Sequence, residues 1–218
     1  MTTLIDTEQD LTRGLDALVR LDRRFEPLLA LAGRPPLRRR PNGFAGIASI
    51  VVSQQLSVAS AAAIWGRLAA ALDPLDHAAM LKARTPKLKR VGLSAPKIRA
   101  LKAIARAIGD GTLDLAVLAA CPADAAHRAL VAVHGIGPWT ADIYLLTCLG
   151  HSDAWPAGDL ALQEAARLAF ALRKRPTTKA MGPLAQAWRP WRGVAARVLW
   201  TYYRAVKGRS GAPVNPGA

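Results

Sequence analysis

Three groups of residues in this 218-residue chain have types and spacings that could do chemistry. The first is the run from Leu130 to Asp142, in which an apolar helix end leads into Gly135-Ile136-Gly137 and a new helix opens at Pro138. Two glycines flanking one aliphatic residue let the backbone turn sharply while Ile136 anchors the turn in a core. The amides of Gly135, Gly137 and the first turn of the next helix then point outward and, with the helix dipole, form an anion site suited to a phosphate. Such a site reads backbone, not base sequence. The same two glycines would equally serve a plain helix-to-helix turn. The second group is Asp159, which follows Trp155-Pro156-Ala157-Gly158 and precedes a helical pattern of Leu160, Leu162 and Ala165. Read locally it is an N-cap or first-turn acid, worth about 0.5–2 kcal/mol. A carboxylate held there stays ionised, which is also what stabilising a developing positive charge requires. The third group is aromatic: Trp139, Tyr144 and Trp200. Each offers an electron-rich face to a cationic ring, worth about 0.5–2 kcal/mol, or the bulk of an ordinary core residue.

Positioning these groups falls to helices. Leu11, Leu15, Leu18 and Val19 place an apolar stripe on a first helix that Pro27 interrupts. Arg34 to Asn42, with Pro35, Pro36, Pro41 and the run Arg38-Arg39-Arg40, reads as a non-helical connector whose arginines either touch phosphate or stay in solvent. After Ser57 an alanine-rich run to Leu72 has high helix propensity. Further helices are predicted over His77–Ala83, Pro96–Ile108 ahead of Gly109, and Ala123–Val133. Pro96 and Pro138 would stand in first turns, where the missing N–H costs nothing. One stretch, Ile47–Val52, has strand character but lacks a partner of similar character. The expected fold is therefore all-α. The expected divisions are an N-terminal helical arm and linker over 1–42 packing with the C-terminal helices, a helical domain with the glycine hairpin over 43–150, the Asp159 loop and C-terminal helices over 151–208, and a flexible Gly- and Pro-rich tail over 209–218.

Lys and Arg number 30 against 15 Asp and Glu, a formal charge of +15 that points to a polyanionic partner. Cys121 and Cys148 lie in segments that read as helical, so buried free thiols are expected rather than a disulfide framework or a metal site. The first residues carry acids and no apolar block of signal-peptide length, and no segment has the apolar length of a membrane span, so an intracellular, membrane-free protein is expected.

Four segments in order give these features a common frame: Val52-Ser53-Gln54-Gln55-Leu56-Ser57, Gly92-Leu93-Ser94-Ala95-Pro96-Lys97, Val133-His134-Gly135-Ile136-Gly137-Pro138-Trp139-Thr140-Ala141, and Trp155-Pro156-Ala157-Gly158-Asp159-Leu160. Over Phe44 to Val206 the chain resembles the helix-hairpin-helix DNA glycosylases, in particular those similar to DNA-3-methyladenine glycosylase II. The resemblance implies a two-lobed helical fold with the active site in the cleft between lobes. It also implies an enzyme of base excision repair that flips an alkylated purine, of the 3-methyladenine type and with 7-methylguanine as a further substrate, out of double-stranded DNA. Asp159 matches the catalytic carboxylate of that family. Trp139, Trp200 and Tyr144 become candidates for the base-stacking pocket. Gly135, Ile136, Gly137, Thr140, Ser94 and Lys97 would contact the DNA backbone. Gln55, with Leu56 as the apolar alternative, would wedge into the gap left by the flipped nucleotide. Main-chain carbonyls of Val131, Val133 and Ile136 would hold a structural Na+ or K+, with no other cofactor needed.

Cleaving an N-glycosidic bond builds positive charge on the sugar and leaves an electron-rich base, so a fixed anion and a dry pocket suffice. Bifunctional relatives place a lysine nucleophile where this chain has Trp139, and an indole nitrogen cannot form a Schiff base. Base release without strand cleavage is therefore expected. Two cysteines cannot ligate a four-iron cluster, which excludes the iron–sulfur subgroup. The short N-terminal arm leaves no room for the β-rich domain of some relatives, and His134 stands where many relatives carry Pro. A monomer located with the DNA is expected, in the nucleoid of a bacterial cytoplasm or in a eukaryotic nucleus. Two other readings are a non-catalytic DNA-binding module and a glycosylase for a deaminated or oxidised base.

Overall fold

A computed structural model describes residues 3–208; the tail expected from Arg209 to Ala218 lies outside the described residues. The chain divides into two compact units, one formed by residues up to Arg39 together with those from Leu145 onward, the other by Arg40–Tyr144. Among the described residues helices provide all the regular structure except one isolated bridge between Leu4 and His151.

In the first unit, α1 (Glu8–Leu21) opens with a capping box in which Thr7 and Asp10 satisfy each other's backbone amides. Its apolar stripe buries Leu11, Leu15 and Leu18. The helix ends at Leu21, ahead of the break expected at Pro27; Pro27 instead stands in the first turn of α2 (Phe25–Ala32), where a proline is tolerated. Both helices pack on α13 (Arg192–Lys207), whose first ten residues are all buried and which also carries α11 (Leu160–Ala169) along its length. A π-helical segment at Leu145–Leu149, a short α12 (Thr178–Ala185) and a 3-10 turn at Gln186–Trp188 complete the helical segments of this unit among the described residues. Trp188 is fully buried with its ring edge-on to Phe25 at 5.0 Å and to Trp155 at 5.6 Å, and its indole N–H donates to Asp22.

The second unit is built around α3 (Gly43–Ser53), with α4 (Val58–Ala71), α5 (His77–Lys82), α6 (Thr85–Arg90), α7 (Ala95–Gly109), the single turn α8 (Leu115–Leu118), α9 (Ala123–Val131) and α10 (Pro138–Tyr144). The stretch Ile47–Val52, which has strand character but is expected to be helical for want of a partner strand, lies within α3. Every residue from Gly46 to Val52 is buried there. A segment apolar on all sides stabilises whichever element can bury every face at once, and a central helix packed by α4, α7 and α10 does so despite the β-branched side chains. Cys148 is buried, whereas Cys121 lies half-exposed at the bend before α9, outside any helix; both are free thiols.

Candidate active site

In the unit that contains Asp159, two contacts fix the loop leading to it. The backbone of His151–Ala154 lies so close to α13 that a Cβ on Gly193 would sit 2.9 Å from the carbonyls of His151 and Ser152. Asp153 receives Arg192 at 2.7 Å and Arg189 at 2.8 Å. From there Trp155 turns into the interior, its indole N–H donating to Met181 O at 3.0 Å. The turn closes with Asp159 N donating to Pro156 O at 2.9 Å, and the buried Gln163 amide donates to Ala157 O at 2.8 Å. None of Trp155, Gln163 or Gly193 was singled out from sequence as a support of this loop. The helical spacing of Gln163 from Asp159 was the available signal.

Asp159 is the N-cap of α11. Its Oδ1 accepts the Leu162 amide at 2.8 Å and, at 3.2 Å, the indole N–H of Trp200 from α13. Only 8% of Asp159 is exposed, so both donors work on a largely desolvated anion, where each counts for more than in water. Leu160, expected on the apolar face of α11, is instead 63% exposed beside the carboxylate. This arrangement holds one carboxylate in one orientation through a helix N-terminus and an aromatic donor. Chemically, it presents a fixed negative charge to a cation forming nearby.

The other unit holds the glycine hairpin. Gly135 has φ +94°, and a Cβ there would lie 2.6 Å from the Cβ and 2.7 Å from the Cα of Ala100 on α7, so both torsion and close approach require glycine. Gly137 has open space around it, and neither glycine amide donates to an acceptor among the described residues. Ile136 is anchored as expected, 3% exposed, with its own amide donating to Val133 O at 3.1 Å. That amide is therefore spent inside the turn. Thr140, expected at the DNA backbone, is 2% exposed, and its hydroxyl accepts Gln54 Nε2 at 2.7 Å. His127 of α9 and Asp142 of α10 join the two hairpin helices at 2.8 Å, and this hydrogen bond raises the imidazole pKa above its ordinary value.

Ser94 occupies the N-cap position of α7 without a side-chain capping bond and is exposed, whereas Lys97 turns back to donate to Val52 O at 2.8 Å and Gln54 O at 2.9 Å. Gln55 and Leu56 stand exposed on the turn between α3 and α4, Gln55 at φ +57°. Among the aromatics, Trp139 is half-buried at the start of α10 and Trp200 is 4% exposed against Asp159. Tyr144 is fully buried and its hydroxyl accepts the Gly43 amide at 3.2 Å; with no exposed ring face it is withdrawn from the stacking candidates. His134 is exposed.

A hairpin of this construction, in a helical chain with a capped aspartate some twenty residues downstream, defines the class of helix-hairpin-helix repair proteins. The pattern described as HhH-GPD superfamily base excision DNA repair protein matches residues 48–190, and the chain belongs to that family. It is 33% identical over 208 residues to the probable bifunctional transcriptional activator/DNA repair enzyme AlkA of Mycobacterium tuberculosis, covering 88% of this chain and 40% of that protein. The chain thus spans about two fifths of the length of that curated relative. The crystal structure of DNA-3-methyladenine glycosidase from Bacillus halodurans superposes with a TM-score of 0.79 at 27% identity, covering 95% of this chain and 93% of that one. A Schizosaccharomyces pombe 3-methyladenine DNA glycosylase, solved in complex with abasic DNA, shares the fold with a TM-score of 0.73 at 24% identity, covering 93% of this chain and all of that one.

Proposed function

We propose that this chain is a monofunctional DNA glycosylase that removes alkylated purines, of the 3-methyladenine type and with 7-methylguanine as a further substrate, in base excision repair. What carries the reading is Asp159, largely buried, capping α11 and oriented by the Trp200 indole, in a chain of this family. Its proposed partner is double-stranded DNA containing alkylated bases. It acts on that duplex as a monomer, wherever the cell keeps its DNA. No helix among the described residues is long and apolar enough to cross a membrane.

In the proposed reaction the bond between the sugar C1′ and the base nitrogen breaks, and its electron pair leaves with the base. An N3- or N7-alkylated purine already carries positive charge, so it departs as a neutral molecule and needs little acid assistance. The oxocarbenium-like sugar left behind is stabilised by the Asp159 carboxylate, and water adds to C1′ with release of a proton, leaving a C1′ hydroxyl. Trp139, half-exposed, is the proposed stacking surface for the extruded cationic ring, whereas Trp200, nearly as buried as Tyr144, is withdrawn from stacking and acts through its indole N–H on Asp159. Because Trp139 offers no amine, no Schiff base forms there and the product is an abasic site in an uncut strand.

The duplex is held by the amides of Gly135 and Gly137 and by the exposed N-terminus of α7 at Ser94, while Gln55 or Leu56 fills the vacated position in the stack. Main-chain carbonyls of Val131, Val133 and Ile136 would hold a monovalent cation, since neutral main-chain oxygens are what Na+ and K+ take in place of water. The Val133 carbonyl accepts only the Ile136 amide among the described residues, and a carbonyl oxygen has a second lone pair. When bound, such an ion would supply positive charge at the hairpin.

The test is release of methylated bases from alkylated duplex DNA by the wild type and by Asp159→Asn, with duplex binding measured in parallel. Release should collapse in the variant while binding persists, and a gel run before alkali should show intact strands. Unchanged release would eliminate the mechanism. Binding without release by either protein would mark the chain as a DNA-binding module.

A further inference from the structure

Within the Arg40–Tyr144 unit, three separate segments are tied by two side chains. Lys97, in the first turn of α7, sends its ammonium to the carbonyls of Val52 and Gln54 at 2.8 and 2.9 Å. These carbonyls belong to the last turn and C-cap of α3, where no intrahelical partner remains. The Gln54 side chain in turn donates to Thr140 in α10 at 2.7 Å. The next residue, Gln55, is exposed and adopts φ +57°, a left-handed conformation that a non-glycine residue keeps only when its surroundings impose it.

A lysine that serves a phosphate extends its ammonium toward solvent. Lys97 does the reverse: it is half-buried, and that burial pulls its pKa down. Both of its hydrogen bonds go to main-chain carbonyls of a single turn, so its charge terminates α3 and pins the residue before Gln55. Thr140 receives the other side of the same residue, which links the turn to the helix that follows Gly135-Ile136-Gly137.

We propose that Lys97 and Gln54 are positioning residues for base extrusion. They hold the Gln55–Leu56 turn in its strained, protruding conformation and fix it to the hairpin, and Lys97 is not a ligand of the DNA backbone. This rests on the glycosylase reading, because a turn that never enters a duplex would not need to be held.

The experiment compares wild type, Lys97→Met, Lys97→Arg, Gln54→Leu and, as a charge control, the exposed Lys87→Met. Three readings are made on the full chain: thermal unfolding, the slope of log affinity against log salt on an unmodified duplex, and the fluorescence rise of 2-aminopurine in a duplex as it unstacks. Lys97→Met should keep the wild-type salt slope and lose extrusion by about 10- to 100-fold, the scale of a positioned group displaced by about an ångström. Lys97→Arg, able to serve both carbonyls, should recover most of it. Gln54→Leu, which leaves the lysine in place, should lose extrusion in the same direction, and it decides the matter should Lys97→Met fail to fold. A salt slope shallower by about 0.9 in Lys97→Met with extrusion intact would make Lys97 a phosphate contact and overturn the proposal. So would undiminished extrusion in both Lys97→Met and Gln54→Leu. Absence of methylated-base release by the wild type would refute the glycosylase reading instead, and it is scored separately from unstacking.

Discussion

Replacing Trp200 by Phe keeps an aromatic face on α13 and removes the indole N–H that reaches Asp159 Oδ1 at 3.2 Å. Hydrogen bonds to a charged acceptor contribute about 1.5–3 kcal/mol. At the long end of the N–H···O range the lower figure applies, and about 1.5 kcal/mol corresponds to roughly a tenfold fall in kcat. The loss should appear in kcat and leave the KM for DNA unchanged, because in the proposed reaction Asp159 serves the reacting sugar and not a phosphate. Trimming a residue that is only 4% exposed also leaves a void that costs about 1–3 kcal/mol of stability, so urea unfolding is measured alongside and turnover is assayed well below the midpoint. The decisive assay is a double-mutant cycle with Asp159→Asn, scored as methylated purine released under single-turnover conditions. If Trp200 acts through the carboxylate, it has nothing left to act on in the Asp159→Asn background, and the coupling should equal nearly the whole single-mutant effect. Additive losses, or an effect confined to KM, would show that the indole serves only as packing or as a stacking face.

The two hairpin glycines should separate by variant. Gly135→Ala combines a φ of +94° with a methyl 2.7 Å from the Ala100 backbone, and it should lower the melting temperature by several degrees together with DNA affinity. Gly137→Ala meets no atom within 4 Å, so its melting temperature should match wild type while duplex affinity, read by fluorescence anisotropy, falls because the methyl crowds the amides. Equal melting temperatures for the two, or wild-type binding by Gly137→Ala, would refute this account of the turn. The His127–Asp142 pair gives a pH dependence with a defined sign. Its hydrogen bond places the folded imidazole pKa above the ordinary 6.5, so the pair's stabilisation is complete below 6.5 and disappears as pH rises through the folded value. Urea-unfolding stability of the wild type relative to His127→Gln should therefore shrink across that interval. A constant difference would mean that the pair contributes no charge-dependent stability.

What sequence made legible was whatever the chain decides locally. Gly135-Ile136-Gly137 ahead of Pro138 fixes a turn through torsion and the missing N–H, and Asp159 fixes a helix start through its own side chain; both stand as expected. Sequence spacing assigns a residue to a face but does not name what that face meets, and the differences arise there. Ile47–Val52 has strand character by residue type, and only the packing of α4, α7 and α10 around it shows why it is a helix buried on every side. Lys97 and Thr140 have the right types for phosphate contact, yet the nearest acceptor and donor turn out to be protein groups from residues more than forty positions away. Tyr144 has the right ring, but its hydroxyl is taken by the Gly43 amide. No periodicity could have supplied these partners, because each is set by the packing of non-adjacent helices.

A carboxylate is a costly thing for a chain of net charge +15 to keep where a polyanion is to bind, since it subtracts from the attraction that thirty basic residues supply. In the proposed reaction that charge, held in a buried cap beside an aromatic donor, acts on the sugar cation as well as on the helix N-terminus. Under the proposed function affinity and chemistry fall to different groups: hairpin amides for the strand, and one oriented anion for the sugar cation. Substitutions at Gly137 should change the dissociation constant and spare the bond-breaking step, whereas substitutions at Asp159 and Trp200 should do the opposite. A glycine variant that slowed single-turnover release at saturating enzyme, or an Asp159→Asn protein that lost its grip on undamaged duplex, would show that the two tasks are not divided in this way.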